Sequence, residues 1–445
     1  MKKQTAKTTK TDGWQNVQTG LGTFADKRRH THFAPNGIIS DAQLEAIYAD
    51  DGLGARIIDL LPDDMLRNGF HFDFWTEKEG DEEYSRKYME ILDSIHFFEK
   101  IADGFKWARL YGGAIAIIGA FDGQDFSEPL EPTKIKKFDK ITIVPRPRIN
   151  LGMCEYQNDP KQPRYGEIER YSVEIQTGMV FSMRKIHYTR VIEFHSVKIP
   201  TFAVSDIPYQ YRYWGVPVLN RVYDRLSDLG ASFGSLSTLI QEVCIGKFKF
   251  KDLGELLSTK EGGKMLTNRI AAMDLTKSVY HSIYMDTEED FIRDVIHFNG
   301  VSDVIYQFFM LISASTGYPM TRLFGISPAG LNSTGDSDTY NYYDMVKAKQ
   351  QTELKPIIMR FISIIGQWLK MPIPMIEFES LEQLNEKEKA DIEQEKALTE
   401  KTKMETYKGY YELGVMEPYM IEDLEFGETL KKIKEPSALP DIDEE

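Results

Sequence analysis

Polar residues suited to phosphate contact are gathered in one glycine-rich loop of the sequence. The loop begins at Arg322, and its tip holds Asn332, Ser333 and Thr334. Hydroxyl and amide groups can contact phosphates without reading bases, and an arginine adds positive charge. Structureless loops of this length are usually functional. We therefore identify the loop as a candidate functional loop whose residue types could contact phosphate groups. In the alternative interpretation, Arg322 pairs with an acid such as Asp303 and only fixes the loop base.

A local excess of basic residues marks the segment from 245 to 287, although the whole chain carries a net charge of −15. Its residues Lys247, Lys249, Lys251 and Lys264 could dock an acidic partner surface or contact DNA at an exit. The alternative is a solvated surface, which accounts for most runs of charge.

Residues arranged for catalysis are few. His187-Tyr-Thr189 is the only His-x-Thr/Ser motif in the chain, and one histidine cannot act as both general acid and general base where a mechanism needs two. Glu261-Gly-Gly-Lys264 lacks the upstream glycine and the following Ser or Thr of a phosphate-binding loop. We found no HExxH motif and no Cys/His cluster with zinc spacing. These observations predict a chain that is not an enzyme and that holds no cofactor or metal.

The composition is typical of a folded chain in a reducing compartment. Hydrophobic residues make up 42% of the 445 residues, and the distant cysteines Cys154 and Cys244 predict no disulfide framework. The acidic balance argues against a DNA-coating protein, but it does not exclude a passage through which DNA slides, because a mostly acidic wall would hold few phosphates tightly. The basic start leads into no apolar region, and no run is long enough for a membrane span. We expect a soluble, intracellular protein without a membrane partner.

The most regular predicted helix runs from Pro217 to Val243. Its apolar residues alternate spacings of three and four, which is a seam suited to packing along another long helix. A second face carries small residues, including Gly230 and Gly234, that would let a neighbouring backbone approach closely. Two such faces predict packing within the subunit and between subunits. The alternative is a core helix in an ordinary monomer.

The remaining pattern predicts an α+β chain. Helices alternate with short strands up to about residue 200, and residues 170–183 read as a hairpin. A second apolar helix ends at Gly317 and Pro319, which stop a helix. A helix with Pro356 inside follows the polar loop, and the Glu- and Lys-rich sequence after residue 380 predicts an exposed helix.

The segment around the polar loop resembles the portal proteins of tailed bacteriophages. The matching residues are ISASTGYPMTRLFGISPAGLNSTGD at 312–336 and YNYYD at 340–344. In that family a stem helix, a tunnel loop and a long kinked wing helix follow one another in this order. The resemblance is specific in this segment and fainter elsewhere, yet it extends over most of the chain.

The resemblance implies a portal fold, which is α+β, with two long stem helices and a small clip insertion between them. Mapped onto this sequence, its parts are a flexible N-terminal arm (1–40), an α/β wing (41–214), a stem helix (215–244), the clip (245–287), a second stem helix (288–316), the tunnel loop (317–338), a Pro-kinked wing helix (339–380), and a short helical crown with the C-terminal tail (381–445). The loop residues would then face a DNA channel, the four lysines would belong to the clip, and Gly230 and Gly234 would pack the stem.

The resemblance also implies a function, that of a non-enzymatic subunit in a ring of twelve copies at one capsid vertex, assembled in the host cytoplasm. Such a ring docks the terminase motor and later the head–tail adaptor, and it passes double-stranded viral DNA without sequence specificity. The major capsid and scaffolding proteins are further expected partners. One alternative is an oligomeric scaffold unrelated to phage. The other is an anti-defence cyclic-nucleotide phosphoesterase, because some proteins with portal-like N-terminal sequences are associated with such enzymes, which need two His-x-Thr/Ser motifs.

Overall fold

The fold is mixed helix and sheet, as the sequence predicts. A computed structural model describes residues 38–74, 81–177, 180–200, 207–242, 244–249, 253–276, 290–295, 300–326, 336–381, 394, 397–399 and 401–408. The chain divides into two compact units, Met1–Glu379 and Ser380–Glu445. Helices and antiparallel strands alternate along the first unit, so the α+β class is confirmed.

The bounds of the elements in the described residues are as follows. The α-helices are α1 (Asp41–Asp50), α2 (Gly52–Leu66), α3 (Asp81–Ser94), α4 (Phe97–Tyr111), α5 (Tyr209–Trp214), α6 (Tyr223–Glu242), α7 (Leu253–Ser258), α8 (Lys260–Thr276), α9 (Val301–Thr316), α10 (Met320–Leu323), α11 (Asp336–Lys349) and α12 (Lys355–Leu369). The strands are β1 (Phe70–Asp73), β2 (Gly113–Phe121), β3 (Lys137–Pro145), β4 (Glu155–Tyr156), β5 (Ile168–Thr177), β6 (Val180–His187), β7 (Val191–His195), β8 (Cys244–Lys249), β9 (Asp290–Val295) and β10 (Met375–Phe378).

The core of the first unit is built on β2, the central strand of a sheet with the order β3-β2-β7. Its sequence GAIAIIGAF is an uninterrupted apolar run, and such a run is typical of a strand buried on both faces. Helix α4 packs against this sheet, where the ring of Phe105 lies 5.0 Å from that of Phe194 on β7. A Cβ atom on Gly104 would lie 2.6 Å from the Phe194 ring, so this approach requires a glycine. The packing fixes β7 and the residues that follow it.

The predicted hairpin is confirmed as β5 and β6, the last two strands of a sheet with the order β4-β5-β6. The strands pair antiparallel from Arg170 opposite His187 to Thr177 opposite Val180. Between β6 and β7, Tyr188–Arg190 form a 3₁₀ turn.

The two predicted stem helices correspond to α6 and α9, which pack against each other. The first is preceded by a 3₁₀ turn, Val218–Arg221. The second was predicted over 288–316, and this is wrong at its start, because Asp290–Val295 form the strand β9 and the helix begins at Val301. The physical reason is long-range pairing, since β9 lies antiparallel to β8 and the insertion is closed by a two-stranded ribbon. Helices α7 and α8 lie between these strands.

The kinked helix after the loop is confirmed, although it begins at Asp336 and not at residue 339. The bend is a π-helical turn, Gln350–Leu354, between α11 and α12. Pro356 follows at once, and a residue without an N–H cannot continue a regular ladder. The turn is held inward by Gln350, whose side-chain Nε2 donates to the carbonyl of Met65 at 2.8 Å.

After α12, the chain pairs with the first strand of the fold, and the sequence did not predict this pairing. Strand β10 pairs antiparallel with β1, with Phe70 opposite Phe378. In the second unit, residues 401–408 are helical and lie at the end of the expected exposed helix. No helix in the described part of the chain is long and apolar enough to cross a membrane.

Candidate functional site

The base of the candidate loop is an ionic cluster around Asp64 of α2. The side chain of Arg322 on α10 donates through Nη2 to Asp64 Oδ1. The hydroxyl of Tyr342 on α11 donates to the other carboxylate oxygen at 2.7 Å, and Nη1 of Arg67 lies 3.6 Å from Asp64. Asp64 is only 3% exposed. A buried carboxylate is tolerated when it is paired and hydrogen-bonded in this way.

The main chain of Arg322 is held by the same helix. Arg56 on α2 donates to the carbonyl oxygen of Arg322 through Nη2 at 2.6 Å and through Nε at 3.2 Å. Both the backbone and the guanidinium of this residue are therefore tied to α2. The structure favours the interpretation in which Arg322 fixes the loop base, with Asp64 as its partner and not the exposed Asp303.

The residues at the C-terminal end of α9 are hydrogen-bonded to the core next to this cluster. Gly317 adopts a positive φ of 75° that stops α9, and the side chain of the next residue, Tyr318, is buried. The hydroxyl of Tyr318 accepts a hydrogen bond from Arg109 at 2.5 Å and donates to the carbonyl of Ile57 at 3.2 Å. Burial raises the pKa of Tyr318, so this hydroxyl keeps its proton. The residues that flank the loop on both sides are thus hydrogen-bonded to the core of the subunit.

Asp64 was missed in the sequence, although a signal for it was present. It follows Ile57 and Leu61 at helical spacing, and these residues are buried with it on one face of α2. A carboxylate on the apolar stripe of a helix needs a cation. The pattern could therefore have predicted a buried acid, but not which arginine pairs with it.

The loop tip, Asn332, Ser333 and Thr334, lies outside the described residues, which stop at 326 and resume at 336. In the insertion, Lys247 and Lys249 belong to β8, where Lys249 stands opposite Asp290 in the ribbon. Lys264 is exposed on α8. Lys251 is outside the described residues.

The predicted packing helix α6 leaves much of its surface uncovered within the subunit. Among the described residues, no atom lies within 4 Å of the position where a Cβ of Gly230 or Gly234 would stand. The apolar seam is buried at its start, at Leu219, Val222 and Leu229. Farther along, Phe233 is 44% and Ile240 58% exposed.

Helix α9 shows the same pattern. Val304, Met310 and Leu311 are 54%, 51% and 44% exposed. Phe233 of α6 contacts Phe309 of α9 with ring centroids 6.4 Å apart. We call the exposed apolar and small residues of α6 and α9 the stem face.

The His187-Tyr-Thr189 motif lies where β6 meets β7, and its polar groups are used within the subunit. Nδ1 of His187 lies 2.9 Å from Thr189 Oγ1, and the same oxygen accepts from the backbone N–H of Leu130 at 2.8 Å. Burial and the nearby Arg170 lower the pKa of His187. The next residue, Arg190, forms a fully buried ion pair with Asp122 at 2.8 Å. This motif braces the 122–131 loop.

The part of the chain that the structure describes holds neither a metal-ligand cluster nor a reactive thiol. Among the described residues, no group of three or more His, Cys, Asp or Glu side chains could hold a metal ion. Cys154 is a buried free thiol, and burial raises its pKa. It therefore lacks the thiolate character of a reactive cysteine.

Comparisons with known proteins point in two directions. The family model described as "Phage portal protein" matches residues 42–401. A curated protein of Caulobacter sp. (strain RHG1), "Anti-CBASS protein Acb1", is 30% identical over 401 residues, which are 87% of this chain and 62% of that protein. A protein of Sphingomonas paeninsulae with the same name is 26% identical over 397 residues, 88% of this chain and 62% of its own length.

The names of these two relatives contradict the prediction that the chain is not an enzyme. They match the anti-defence phosphoesterase alternative and not the non-enzymatic reading. The prediction rested on missing motifs: a second His-x-Thr/Ser motif, a phosphate-binding loop, HExxH and a Cys/His zinc cluster. The chain spans 62% of the length of each of these relatives.

A solved structure, "Neck of native GTA particle computed with C12 symmetry", is also similar to this chain. It is 11% identical and has a TM-score of 0.47, with 89% of this chain and 96% of that chain covered. A TM-score below 0.5 does not establish a shared fold.

Proposed function

This chain belongs to the phage portal protein family, and on that premise we propose that it is the subunit of a ring at one capsid vertex. Viral double-stranded DNA would pass through the ring during packaging and ejection, without sequence specificity. The observation that carries this proposal is the stem face on α6 and α9. It leaves large apolar side chains in water, which is typical of a surface that another copy covers.

The composition of that face supports the proposed ring. On α6 the stem face carries the small residues Gly230 and Gly234. On α9 it carries the exposed apolar residues Val304, Met310 and Leu311. If this face packs against a different face of the next copy, the contact is heterologous, and it forms a ring when the rotation between copies closes. We propose twelve copies, as the resemblance implies.

The loop after Arg322 would project into the channel of this ring. Its base is fixed by Asp64 and Arg56, so an assembled ring would present one copy of the tip per subunit. We assign DNA contact to Asn332, Ser333 and Thr334, since uncharged polar groups can touch phosphates without holding them permanently. Arg322 has the structural role at the base.

The insertion between α6 and α9 would be the clip, bounded by the β8–β9 ribbon. Its residues Lys247, Lys249, Lys251 and Lys264 would meet the terminase motor and later the head–tail adaptor. The region after residue 380 would be a small crown facing the capsid interior, and the major capsid and scaffolding proteins are further proposed partners of the ring. These assignments follow the family order of parts.

A loop deletion tests the proposed function. Removal of Leu331 to Gly335 should leave rings intact, because Asp64 still fixes the base, but it should impair completion of packaging or retention of DNA. The measurement is the length of DNA protected inside particles, with an Asp159→Ala variant on a distant exposed loop as the control. Normal packaging and retention by the shortened protein would remove the loop assignment.

We infer a second candidate function, anti-CBASS activity, from the names of the two curated relatives. As a cyclic-nucleotide phosphoesterase, the purified chain would cleave a cyclic dinucleotide, and a mass spectrum of the products would show the linear form. His187→Gln tests the one motif available. Cleavage that survives this change would place the activity elsewhere in the chain, and no cleavage by the unaltered chain would remove the candidate.

A further inference from the structure

A cavity of about 750 Å³ opens at the end of β7. It is bounded by α2, α4, the end of α9 and the π-turn between α11 and α12. Small-molecule sites usually measure about 300–1,000 Å³, and π-turns are frequent at functional sites. Neither the loop nor the stem face explains this space.

One wall of the cavity is apolar. It is formed by side chains from four elements, among them Leu61, Phe105, Phe194 and Ile357. Phe105 and Phe194 contact each other edge to face at 5.0 Å, and Phe194 is wedged against Gly104. This wall is therefore rigid and suited to an apolar or aromatic body.

The rim carries two positive charges for which the described residues supply no ion-pair partner. Lys198 and Arg221 both line the cavity and are exposed, and within the described residues neither makes an ion pair. The other cations of the lining are in use, since Arg109 donates to the carbonyls of Ile57 and Ile58, and Lys349 pairs with Glu353 at 2.5 Å. In a chain with a net charge of −15, two unpaired cations at one cavity favour an anion.

The floor of the cavity is a prearranged polar group centred on Glu193. Its carboxylate accepts hydrogen bonds from the hydroxyls of Tyr171 at 2.5 Å and Tyr213 at 2.6 Å, and Nε2 of His195 lies 3.3 Å away. Burial alone would raise the pKa of Glu193, but these three contacts outweigh it and lower the pKa to about 2. The carboxylate is saturated and fixes the orientation of the His195 ring.

Two polar atoms beside this carboxylate have no partner. Among the described residues, Nδ1 of His195 and Oγ of Ser196 are buried without a hydrogen bond. Buried polar atoms without partners are rare in folded proteins, and each calls for an explanation such as a bound molecule. A ligand or its bridging water at this end of the cavity would satisfy them.

We propose that this cavity binds a small phosphorylated molecule with an apolar or aromatic body. The phosphate is held by Lys198 and Arg221, whose two separate charges match a dianion. The body lies on the Phe105–Phe194 wall, and the His195–Ser196 pair receives its polar end. The site lies within one subunit, so the proposal does not depend on ring formation.

Isothermal titration of the full chain tests the site with adenosine 5′-monophosphate as the probe. Adenosine lacks the anion and inorganic phosphate lacks the body, so both should bind at least about tenfold more weakly, and the affinity for the probe should fall with salt. The Lys198→Ala/Arg221→Ala variant should lose at least about tenfold in affinity. Both residues are exposed, so its melting temperature should not change.

The control is Lys136→Ala/Lys161→Ala, which removes the same charge from exposed lysines away from the cavity. It should bind the probe as the unaltered chain does. The proposal is overturned if the probe produces no heat at millimolar concentration, if adenosine binds equally well, or if the Lys198/Arg221 variant binds like its control.

Discussion

The substitution Gly234→Leu separates folding of the subunit from its assembly. Within the subunit, a Cβ at Gly234 meets no atom within 4 Å, so the larger side chain causes no clash. Glycine is about 1 kcal/mol less favourable than alanine inside a helix, and leucine is close to alanine. We therefore expect the isolated subunit to gain about 0.5–1 kcal/mol in the free energy of unfolding.

The same side chain should obstruct the contact with the next copy. Inserting a large group into a close-packed contact typically costs about 1–3 kcal/mol, which weakens each interface about 5- to 150-fold. Because every interface of a ring carries the change, the rings should disappear at concentrations where the unaltered chain forms them.

Native mass spectrometry and urea unfolding measure the two effects. Gly52→Leu is the matched control, since Gly52 at the start of α2 also has open space around its Cβ position and lies far along the chain from the stem face. Gly52→Leu should keep the rings. Intact rings from Gly234→Leu would refute the assignment of this face, and so would a variant that loses rings because its subunit unfolds.

Two further predictions concern buried charge. Asp64→Ala leaves Arg322 and Tyr342 without their acceptor and should lower the free energy of unfolding by about 2–3 kcal/mol. The control Asp63→Ala removes a surface pair with Lys106 at 2.8 Å and should lower it by less than about 1 kcal/mol. Equal losses in urea unfolding would contradict the role of Asp64 in fixing the loop base. The pKa of Glu193 is lowered from 4.5 to about 2, so its contribution is complete above pH 4.5 and is lost as the pH falls towards 2. The unaltered chain should lose up to about 3 kcal/mol over this range that Glu193→Gln does not lose, and parallel pH profiles would show that the carboxylate is not held as described.

The sequence predicted those elements whose residue patterns lie within a short stretch of the chain. The seam of α6, the β5–β6 hairpin and the bend at Pro356 each leave a periodic or conformational signature. The β8–β9 and β1–β10 pairs do not, because pairing across 41 or more residues is decided by the rest of the fold. For the same reason, the second stem helix was extended into what is β9.

The site was predictable in part. Arg322 was recognised together with a structural alternative, but the sequence suggested Asp303, which is near in the chain, and the structure supplies Asp64 from a helix 258 residues away. Glu193 and His195 gave no signal, because alternate residues of a strand read as ordinary polar positions. Their significance depends on Tyr171 and Tyr213, which only the folded chain brings to them.

Electron microscopy of the purified full chain tests the central claim most directly. The account predicts closed rings with a central hole, in which the stem face is covered by neighbouring copies and the loop after Arg322 points into the hole. A chain that stays monomeric at micromolar concentration, or that forms closed assemblies without a central channel, would contradict it.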